Sequence, residues 1–370
     1  MNNISIRSTL VLSILGALAL ALLIIVEHSK KFQKKEHYQE KMAAAKLSNK
    51  CMQHIKNNFF ANEIAIDNIN DPNATGIIGQ QFSEITSGRG SLPVKLSTTN
   101  PNFAAMIVQQ IKDAGLQKGD HVALCFTGSF PALDIATCAA IETLELKPIL
   151  ITSVTSSSWG ANNPDLTWLD MQKSLKDAQL ISFMPSASST GGNQDIGRTL
   201  SREGRDLVQN IIRRNHIPYL NQGNLEGNIN KRMDIFNKTS KGKVKLFINV
   251  GGGIASLGSN TNARNLPSGL NKDLKIKDFQ DKQGVMFEMV KKGVPVINLL
   301  NINRLMNKYD LPRDPVPLPK VGEGKLFKAY KYDLNLVIGV SLVFLALILV
   351  VMYYDEKQNK LGSQIIKKID

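Results

Sequence analysis

Hydroxyl-bearing residues, glycines and amides collect directly after the predicted β-strands of this 370-residue chain, and their chemistry suits the binding of an anion. Glycine lets the backbone approach a ligand closely, and exposed backbone N–H groups attract negative charge. Because the loops that follow parallel strands emerge at one edge of a sheet, we expect these residues to line one pocket. The predicted ligand-binding residues are Thr127, Gly128, Ser129, Ser158, Trp159, Asn162, Gly192, Asp195, Arg198, Gly251, Gly252, Gly253 and Asn301.

The ligand predicted for this pocket carries a carboxylate or a phosphate group, and no cofactor is predicted. The alternative is that the glycines only permit tight turns between strand and helix, and the residues themselves do not separate the two interpretations. The triplet Gly251–Gly253 lacks the G-x-G-x-x-G spacing of dinucleotide sites, and the chain contains no G-x-x-x-x-G-K-[ST] loop. The protein is therefore not expected to be a P-loop ATPase.

Three of the pocket residues, Ser129, Asp195 and Arg198, are the candidates for catalysis. Ser129 lies at a predicted strand-to-helix turn, as a hydrolase nucleophile does, but its neighbours do not form G-x-S-x-G, and a helix N-cap is the alternative role. Asp195 and Arg198 are expected to pair with each other or to grip a ligand carboxylate. Whether the protein is an enzyme stays open at this point.

No metal site is predicted from the cysteines and histidines. Cys51, Cys125 and Cys138 show no C-x-x-C spacing and no histidine partners, and the last two fall in apolar segments typical of a core. His121 and His216 precede predicted strands, so both fall at the edge opposite the pocket. Neither is a good candidate for a general base.

An alternation of apolar β-type segments and helical segments must position these loops. It predicts an α/β fold, namely a single doubly wound, mostly parallel-sheet, Rossmann-like domain over residues 100–309. The predicted strands are Val122–Phe126, Pro148–Val154, Leu180–Met184, Ile217–Leu220, Val244–Val250 and Val294–Leu299. The predicted helices between them are Pro131–Leu146, Leu166–Ala178, Leu200–Asn215, Leu225–Lys238 and Asp281–Lys292.

Two apolar runs, residues 10–26 and 334–353, approach the length that a helix needs to cross a bilayer. We interpret both as transmembrane helices in contact with lipid, with a signal peptide as the alternative for the first and a buried core helix for the second. The other predicted segments are a short tail (1–9), a helical stalk continuing the first span (27–62), a lead-in (63–99), a strap rich in proline and glycine (310–333) and a basic tail (354–370).

Much of the excess positive charge, +14 in all, lies in lysines that flank the two runs. Lysines there meet anionic head groups, and because no aromatic-basic motif is present, no nucleic-acid partner is predicted. Lysines follow the first run on the side of the domain, which favours a cytoplasmic domain, whereas those around the second run are balanced. We predict the cytoplasmic side and leave the exterior open.

Several separate motifs, taken in order, resemble those of the bacterial poly-gamma-glutamate system protein family. The resemblance extends over about residues 41–323, although Thr155 stands where the family tends to have glycine and Ser158 is an additional serine. The motifs are Gly128–Leu133, Ser158–Asn162, Thr167–Met171, Gly192–Arg198, Ile248–Gly253, Thr98–Ala105, Leu299–Ile302 and Asp314–Pro319.

The resemblance implies a component of the bacterial cytoplasmic membrane that accompanies the synthesis or export of poly-gamma-glutamate, as capsule or released polymer. The implied partners are the other membrane proteins of that system and the polymer or a precursor. The chain shows no ATP site and is not expected to be the polymerising ligase. Three interpretations stay open: a non-catalytic accessory partner, a membrane-tethered enzyme acting on the polymer or a precursor, and a sensor of a small anion.

Overall fold

The computed structural model of the protein describes residues 8–60, 66–279, 281 and 283–366. The described residues divide into two compact units, one formed by residues 8–35 together with 328–366 and the other by the described residues between 36 and 327. Parts of five predicted segments lie outside the described residues: 1–7 of the short tail, 61–62 of the stalk, 63–65 of the lead-in, 280 and 282 of the domain, and 367–370 of the basic tail.

The elements are numbered in chain order. The α-helices of the described residues are α1 (Thr9–His28), α2 (Tyr38–Phe60), α3 (Leu92–Thr98), α4 (Phe103–Asp113), α5 (Pro131–Thr143), α6 (Trp168–Asp177), α7 (Arg202–Arg214), α8 (Leu225–Ser240), α9 (Ile254–Leu257), α10 (Asn260–Asn265), α11 (Val285–Lys291), α12 (Ile302–Tyr309) and α13 (Leu334–Ile366). The strands are β1 (Lys31–Lys34), β2 (Thr86–Gly88), β3 (His121–Thr127), β4 (Lys147–Ser153), β5 (Ser156–Ser157), β6 (Asn162–Asn163), β7 (Leu166–Thr167), β8 (Ala187–Ser189), β9 (Val244–Val250), β10 (Gly269–Asn271), β11 (Val296–Leu299) and β12 (Lys328–Lys331).

A six-stranded, mostly parallel sheet forms the centre of the second unit, as described by the structure, and confirms the mixed α/β prediction. Its order is β10-β11-β9-β3-β4-β8, and only the edge strand β10 runs antiparallel to its neighbour. In chain order, β4 and then β8 are added on one side of β3, and β9 and then β11 are added on its other side. The direction of growth therefore reverses between β3 and β9.

Helices cover both faces of this sheet because the residues of β3 alternate between two cores. Val122, Leu124 and Phe126 pack into a cluster with apolar residues of α2, α4 and α5. Ala123 and Cys125 pack into a second cluster with residues of α8 and α11. A strand that is apolar on both faces is typical of a parallel sheet buried between helical layers.

The unit formed by the chain's two ends contains two helices that are long and apolar enough to cross a membrane, Thr9–His28 and Leu334–Lys360. They correspond to the two apolar runs in the sequence. Strands β1 and β12 of this unit pair antiparallel, with Lys31 opposite Lys331 and the rings of Phe32 and Tyr330 in edge contact at 5.6 Å.

Two of the predicted strands are wrong, and proline explains both differences. Residues 180–184 form no strand, and the edge strand β8 begins after Pro185, which has no N–H for a ladder. Residues 217–220 contain Pro218 and make only an isolated parallel bridge between Tyr219 and Ser188.

The predicted helical stalk over residues 27–62, a continuation of the first span, differs from the structure over residues 27–60, which are the part of it that the structure describes. The chain leaves α1 at His28, forms the strand β1 and begins α2 at Tyr38, after His37 with φ of 57°. Helix α2 packs its apolar side into the core of the second unit, with Ala44, Cys51 and Ile55 fully buried. An amphipathic helix gains most of its stability by burying that face, so α2 is a core element and not a solvent-exposed stalk.

Candidate functional site

A cavity of about 560 Å³ lies at the carboxyl ends of the strands, where the growth of the sheet reverses between β3 and β9. In open α/β sheets, ligands bind in the crevice at such a reversal. The segment 87–95 forms the remaining wall. Polar residues in the lining include Thr127 at the end of β3 and Ser129 after it, Ser153 at the end of β4 with Thr155 and Ser157 after it, Asn193 and Asp195 after β8, and Lys95 on α3.

Lys95 is the buried cation of this cavity, with only 3 % of its surface exposed. Its Nζ donates to Ser157 Oγ at 2.9 Å and to the carbonyl oxygen of Ser129, and it lies 4.0 Å from the centre of the Phe130 ring. Burial lowers the pKa of the Lys95 amine to about 7, and the nearby Asp134 only partly opposes this shift. Within the described residues, no carboxylate lies within salt-bridge distance of this amine.

Asp134 lies in the first turn of α5 and is fully buried, and neither carboxyl oxygen has a hydrogen-bond partner in the described structure. Burial raises the pKa of its carboxyl well above the ordinary value, with the charge of Lys95 acting in the opposite direction. For both groups the loss of hydration outweighs their mutual attraction, as is common for buried charges without hydrogen-bonded pairing.

Ser157 and Ser129 are joined by a hydrogen bond from the Ser157 N–H to Ser129 Oγ, at 3.1 Å. Ser157 belongs to β5, which pairs in parallel with β2 and so brings segment 87–95 against the cavity. The approach is close at Gly90, where a Cβ atom would lie 2.2 Å from the carbonyl oxygen of Ser158. Only glycine permits this packing, which sets the position of α3 and its lysine.

Thr155 adds a polar atom that no described protein group satisfies. Its side chain is 2 % exposed and lines the cavity, and its Oγ1 has no hydrogen-bond partner in the described residues. Buried hydroxyls are normally hydrogen-bonded, so an unpaired one in a cavity wall is available to a ligand or to water.

Asp195 lines the same cavity but is satisfied by its neighbours. Its Oδ2 forms a buried ion pair with Arg232 Nη1 at 2.7 Å and accepts from Asn228 Nδ2 at 2.9 Å. Its Oδ1 accepts from the hydroxyl of Ser189 at 2.8 Å, and Ser189 Oγ in turn accepts from Arg232 Nη2 at 2.7 Å. The predicted pairing of Asp195 with Arg198 is wrong, because the Arg198 side chain is exposed and the buried Arg232 takes that place.

The structure brings only part of the predicted site together. Thr127, Ser129, Gly192, Asp195, Gly252 and Gly253 line the cavity. The others lie outside its lining: Gly128, Ser158, Trp159, Asn162, Arg198, Gly251 and Asn301.

Most of the residues outside the lining hold loops in place. Asn162 accepts from the Gln80 N–H at 2.8 Å and donates to Thr86 Oγ1 at 2.9 Å, while the Trp159 N–H donates to the Gln80 carbonyl at 2.8 Å. Trp159 also lines a separate cavity of about 340 Å³. Gly251 has φ of 87°, and a Cβ there would lie 2.3 Å from Thr127 Oγ1. Asn301 is exposed, with a left-handed backbone before α12.

The alternative role of Ser129 as a helix N-cap is also wrong. Phe130 is the N-cap residue of α5, and no side chain makes a capping hydrogen bond there. The Ser129 hydroxyl instead accepts from Ser157, so its loop is tied to the loop after β4.

Sequence reasoning missed Lys95, Ser157 and Thr155. Lys95 stands in a short segment between Val94 and Leu96, and a lone lysine among apolar and small residues is the only signal that singles it out. Ser157 is one of three consecutive serines, and the sequence does not distinguish it from the other two. Among the residues that the structure describes, no cluster of three or more histidine, cysteine, aspartate or glutamate side chains forms a metal site.

The chain gives no match when it is compared with protein-family models, with curated proteins and with solved structures. Its function is therefore argued from the cavity and from the motifs around it.

Proposed function

We propose that the protein is a membrane-anchored accessory component of a bacterial poly-gamma-glutamate synthesis or export system, and that its cavity binds the carboxylates of a γ-glutamyl chain. The observation that carries the ligand class is Lys95, a buried amine in the cavity without a carboxylate partner in the described residues. A ligand carboxylate supplies that missing charge. Because the Asp195 charge is compensated by Arg232, it does not repel such a ligand strongly.

The resemblance of the motifs supports the polymer assignment. Residues of Gly128–Leu133, Gly192–Arg198 and Ile248–Gly253 contribute to the cavity lining, and Ser158–Asn162 follows Ser157 directly. Motifs distant in sequence thus converge on one site. A cavity of about 560 Å³ lies within the usual range of small-molecule sites, about 300–1,000 Å³.

A Rossmann-like, doubly wound assignment of the second unit is part of the same proposal. Its support is the strand order: when β3, β4, β8, β9 and β11 are numbered one to five, they follow the order 3-2-1-4-5. Helices on both faces and the cavity at the reversal of strand order agree with such a fold.

Binding of glutamate oligomers to the detergent-solubilised full chain tests the ligand class. We expect a γ-linked hexamer to bind at least about tenfold more tightly than an α-linked hexamer of equal charge, about 1.4 kcal/mol. Binding should weaken as the pH rises through 7, because Lys95 loses its charge there.

The variant Lys95→Met should lower the affinity for the γ-linked hexamer by about tenfold or more. Lys147→Met is the matched control, since Lys147 is exposed at the other end of β4. Equal affinities for the two hexamers, or equal effects of the two substitutions, would show a general attraction of polyanions to a basic protein.

We place the domain on the cytoplasmic side of the bacterial cytoplasmic membrane, with α1 and α13 as the spans, and propose the other membrane proteins of the system as partners. The support is the pair of apolar helices and the lysines after α1. Protease treatment of intact and lysed spheroplasts, with a tag after Asp370, tests the side. Cleavage within residues 36–327 only after lysis is expected, and cleavage in intact spheroplasts would reverse the assignment.

A further inference from the structure

Lys95 and Ser157 form a close amine–hydroxyl pair in the wall of the cavity. The Lys95 Nζ lies 2.9 Å from Ser157 Oγ, and its other close polar neighbour is the carbonyl oxygen of Ser129. A carbonyl oxygen only accepts hydrogen bonds. When the amine is neutral, it therefore donates to Ser129 and turns its lone pair to the Ser157 hydroxyl.

We propose that Ser157 is a catalytic nucleophile and Lys95 its general base, in an acyl-transfer reaction on the amide bonds of the ligand. The choice of the γ-glutamyl amide as substrate rests on the proposed function. Serine–lysine pairs are a known variant of nucleophilic catalysis, recognised by geometry and roles and not by position in the sequence.

This role requires the neutral amine of Lys95, whereas the carboxylate binding proposed above uses its protonated form, and the surroundings of Lys95 make both forms accessible near neutral pH. Its pKa lies at about 7, so the side chain is substantially deprotonated at neutral pH, where a general base is most effective. Asp134, on α5, opposes this shift but is itself driven by burial towards its uncharged form. The other charged residues of the cavity lining are the exposed Arg89 and the paired Asp195.

Ser129 is assigned a positioning role. Its Oγ accepts from the Ser157 N–H, and its carbonyl oxygen accepts from Lys95, so it holds both members of the pair. Ser129 Oγ itself has no amine or imidazole partner in the described residues. The unpaired Thr155 hydroxyl in the same cavity is a donor available to a ligand oxygen.

The reaction balances with water or an amine as the second substrate. Lys95 takes the Ser157 proton as Oγ forms a bond to the amide carbonyl carbon. The carbon–nitrogen bond then breaks, and the leaving amine takes the proton from Lys95, which leaves an ester on Ser157. Water attacks that ester and releases a carboxylic acid with free Ser157, or an amine attacks it and forms a new amide. No oxidation or reduction occurs.

Labelling of the detergent-solubilised full chain with a fluorophosphonate probe tests the pair, with the adduct located by mass spectrometry of peptides. We expect one adduct on Ser157, formed at a rate that rises with pH and levels off above about pH 7. Ser157→Ala should abolish labelling, and Lys95→Met should slow it by about 100-fold or more. Ser186→Ala and Lys147→Met, at exposed positions outside the cavity, should label as the natural chain does.

Lys95→Arg gives an independent test, since it keeps a cation whose pKa is too high for a base at neutral pH. It should also label slowly. Retention of the native tryptophan fluorescence checks that each variant is folded. Absence of labelling in the natural chain, labelling that survives in folded Ser157→Ala, or normal labelling of folded Lys95→Met would overturn the proposal.

The hexamer binding assay separates this proposal from the proposed function. Preference for the γ-linked hexamer without labelling would overturn catalysis and leave the ligand class standing. Labelling that depends on Ser157 and Lys95, without that preference, would support catalysis and remove the γ-glutamyl substrate.

Discussion

Two clusters of buried charge lie near the same cavity, and they differ in how their charges are satisfied. In the Asp195–Arg232 cluster, both carboxylate oxygens are hydrogen-bonded and the guanidinium pairs with the carboxylate at 2.7 Å. In the Lys95–Asp134 cluster, within the described residues, the amine contacts two uncharged oxygens and the Phe130 ring, and the carboxyl has no hydrogen-bond partner.

The comparison separates a structural role from a functional one. A buried pair that satisfies itself joins the segment after β8 to α8 and needs nothing from a ligand. A buried amine without such a partner destabilises the fold. Destabilising groups of this kind are often found in sites that bind substrates or react with them. Sequence reasoning selected Asp195 for chemistry and passed over Lys95. Because the Asp195 charge is paired with Arg232 and the Lys95 charge has no such partner in the described residues, the structure favours Lys95 for chemistry and Asp195 for a structural role.

The largest effect is expected from breaking the satisfied cluster. Arg232→Met should lower the free energy of unfolding by about 3–5 kcal/mol, because it leaves the Asp195 carboxylate buried without its cation. Denaturant unfolding followed by tryptophan fluorescence measures this, since both tryptophans lie within residues 36–327.

A surface pair provides the control for Arg232→Met. Lys173→Met, which removes an exposed ion pair with Asp177, should cost less than about 1 kcal/mol. Adding Asp195→Leu to Arg232→Met should recover part of the loss. A loss below about 1 kcal/mol for Arg232→Met alone would contradict the structural assignment of this cluster.

Removal of the Lys95 amine is expected to raise the free energy of unfolding, whereas removal of the Arg232 guanidinium lowers it. Lys95→Met should raise the free energy of unfolding by about 3–5 kcal/mol at pH 6, because the folded chain no longer holds a desolvated amine. The folded pKa is about 7 and the ordinary value is 10.5, so the unfolded state binds more protons between these values. The stability of the natural chain therefore rises from pH 7 to 10.5 relative to the variant.

Unfolding of the natural chain, Lys95→Met and Lys147→Met at several pH values tests this linkage. The advantage of Lys95→Met should be greatest below pH 7 and should disappear near pH 10.5, whereas Lys147→Met should show no such trend. A Lys95→Met chain that is less stable than the natural one at pH 6 would show that the amine supports the fold.

Replacement of the buried acid Asp134 is expected to give a smaller stabilisation, which grows as the pH rises instead of shrinking. Asp134→Asn should stabilise the chain at pH 6, because burial raises the pKa of the folded carboxyl well above its ordinary value of 3.8, while the unfolded state releases the proton above that value. The difference should vanish at pH 3 and grow as the pH rises. The same unfolding series measures it, and an advantage independent of pH would contradict a raised pKa.

The smallest effect is expected at Arg198, the cation that sequence reasoning chose. Its side chain is exposed and lies outside the cavity lining, so Arg198→Ala should change the free energy of unfolding by less than about 0.5 kcal/mol. Affinity for the γ-linked hexamer should stay within about twofold. A tenfold loss of affinity would place Arg198 in the site and weaken the contrast between the clusters.

Much of the fold was predictable because its signals are local. The apolar runs of β3, β4 and β9 and the start of α5 at Pro131 agree with the prediction. The predictions failed where a distant partner or a proline decided the structure. Residues 180–184 have a strand-like composition but precede Pro185, and Lys31 pairs with Lys331 across nearly the whole chain.

The sequence by itself determined the two apolar terminal helices, the α/β class and the edge of the sheet where glycines and hydroxyls collect, because composition and periodicity act over neighbouring residues. Only the tertiary structure decided which of these groups meet and which charges are satisfied. Lys95 and Ser157 are 62 positions apart, and Asp195 reaches Arg232 on another element. Burial and pairing depend on the packing of the whole domain, and these two quantities distinguish the structural ion pair from the candidate catalytic pair.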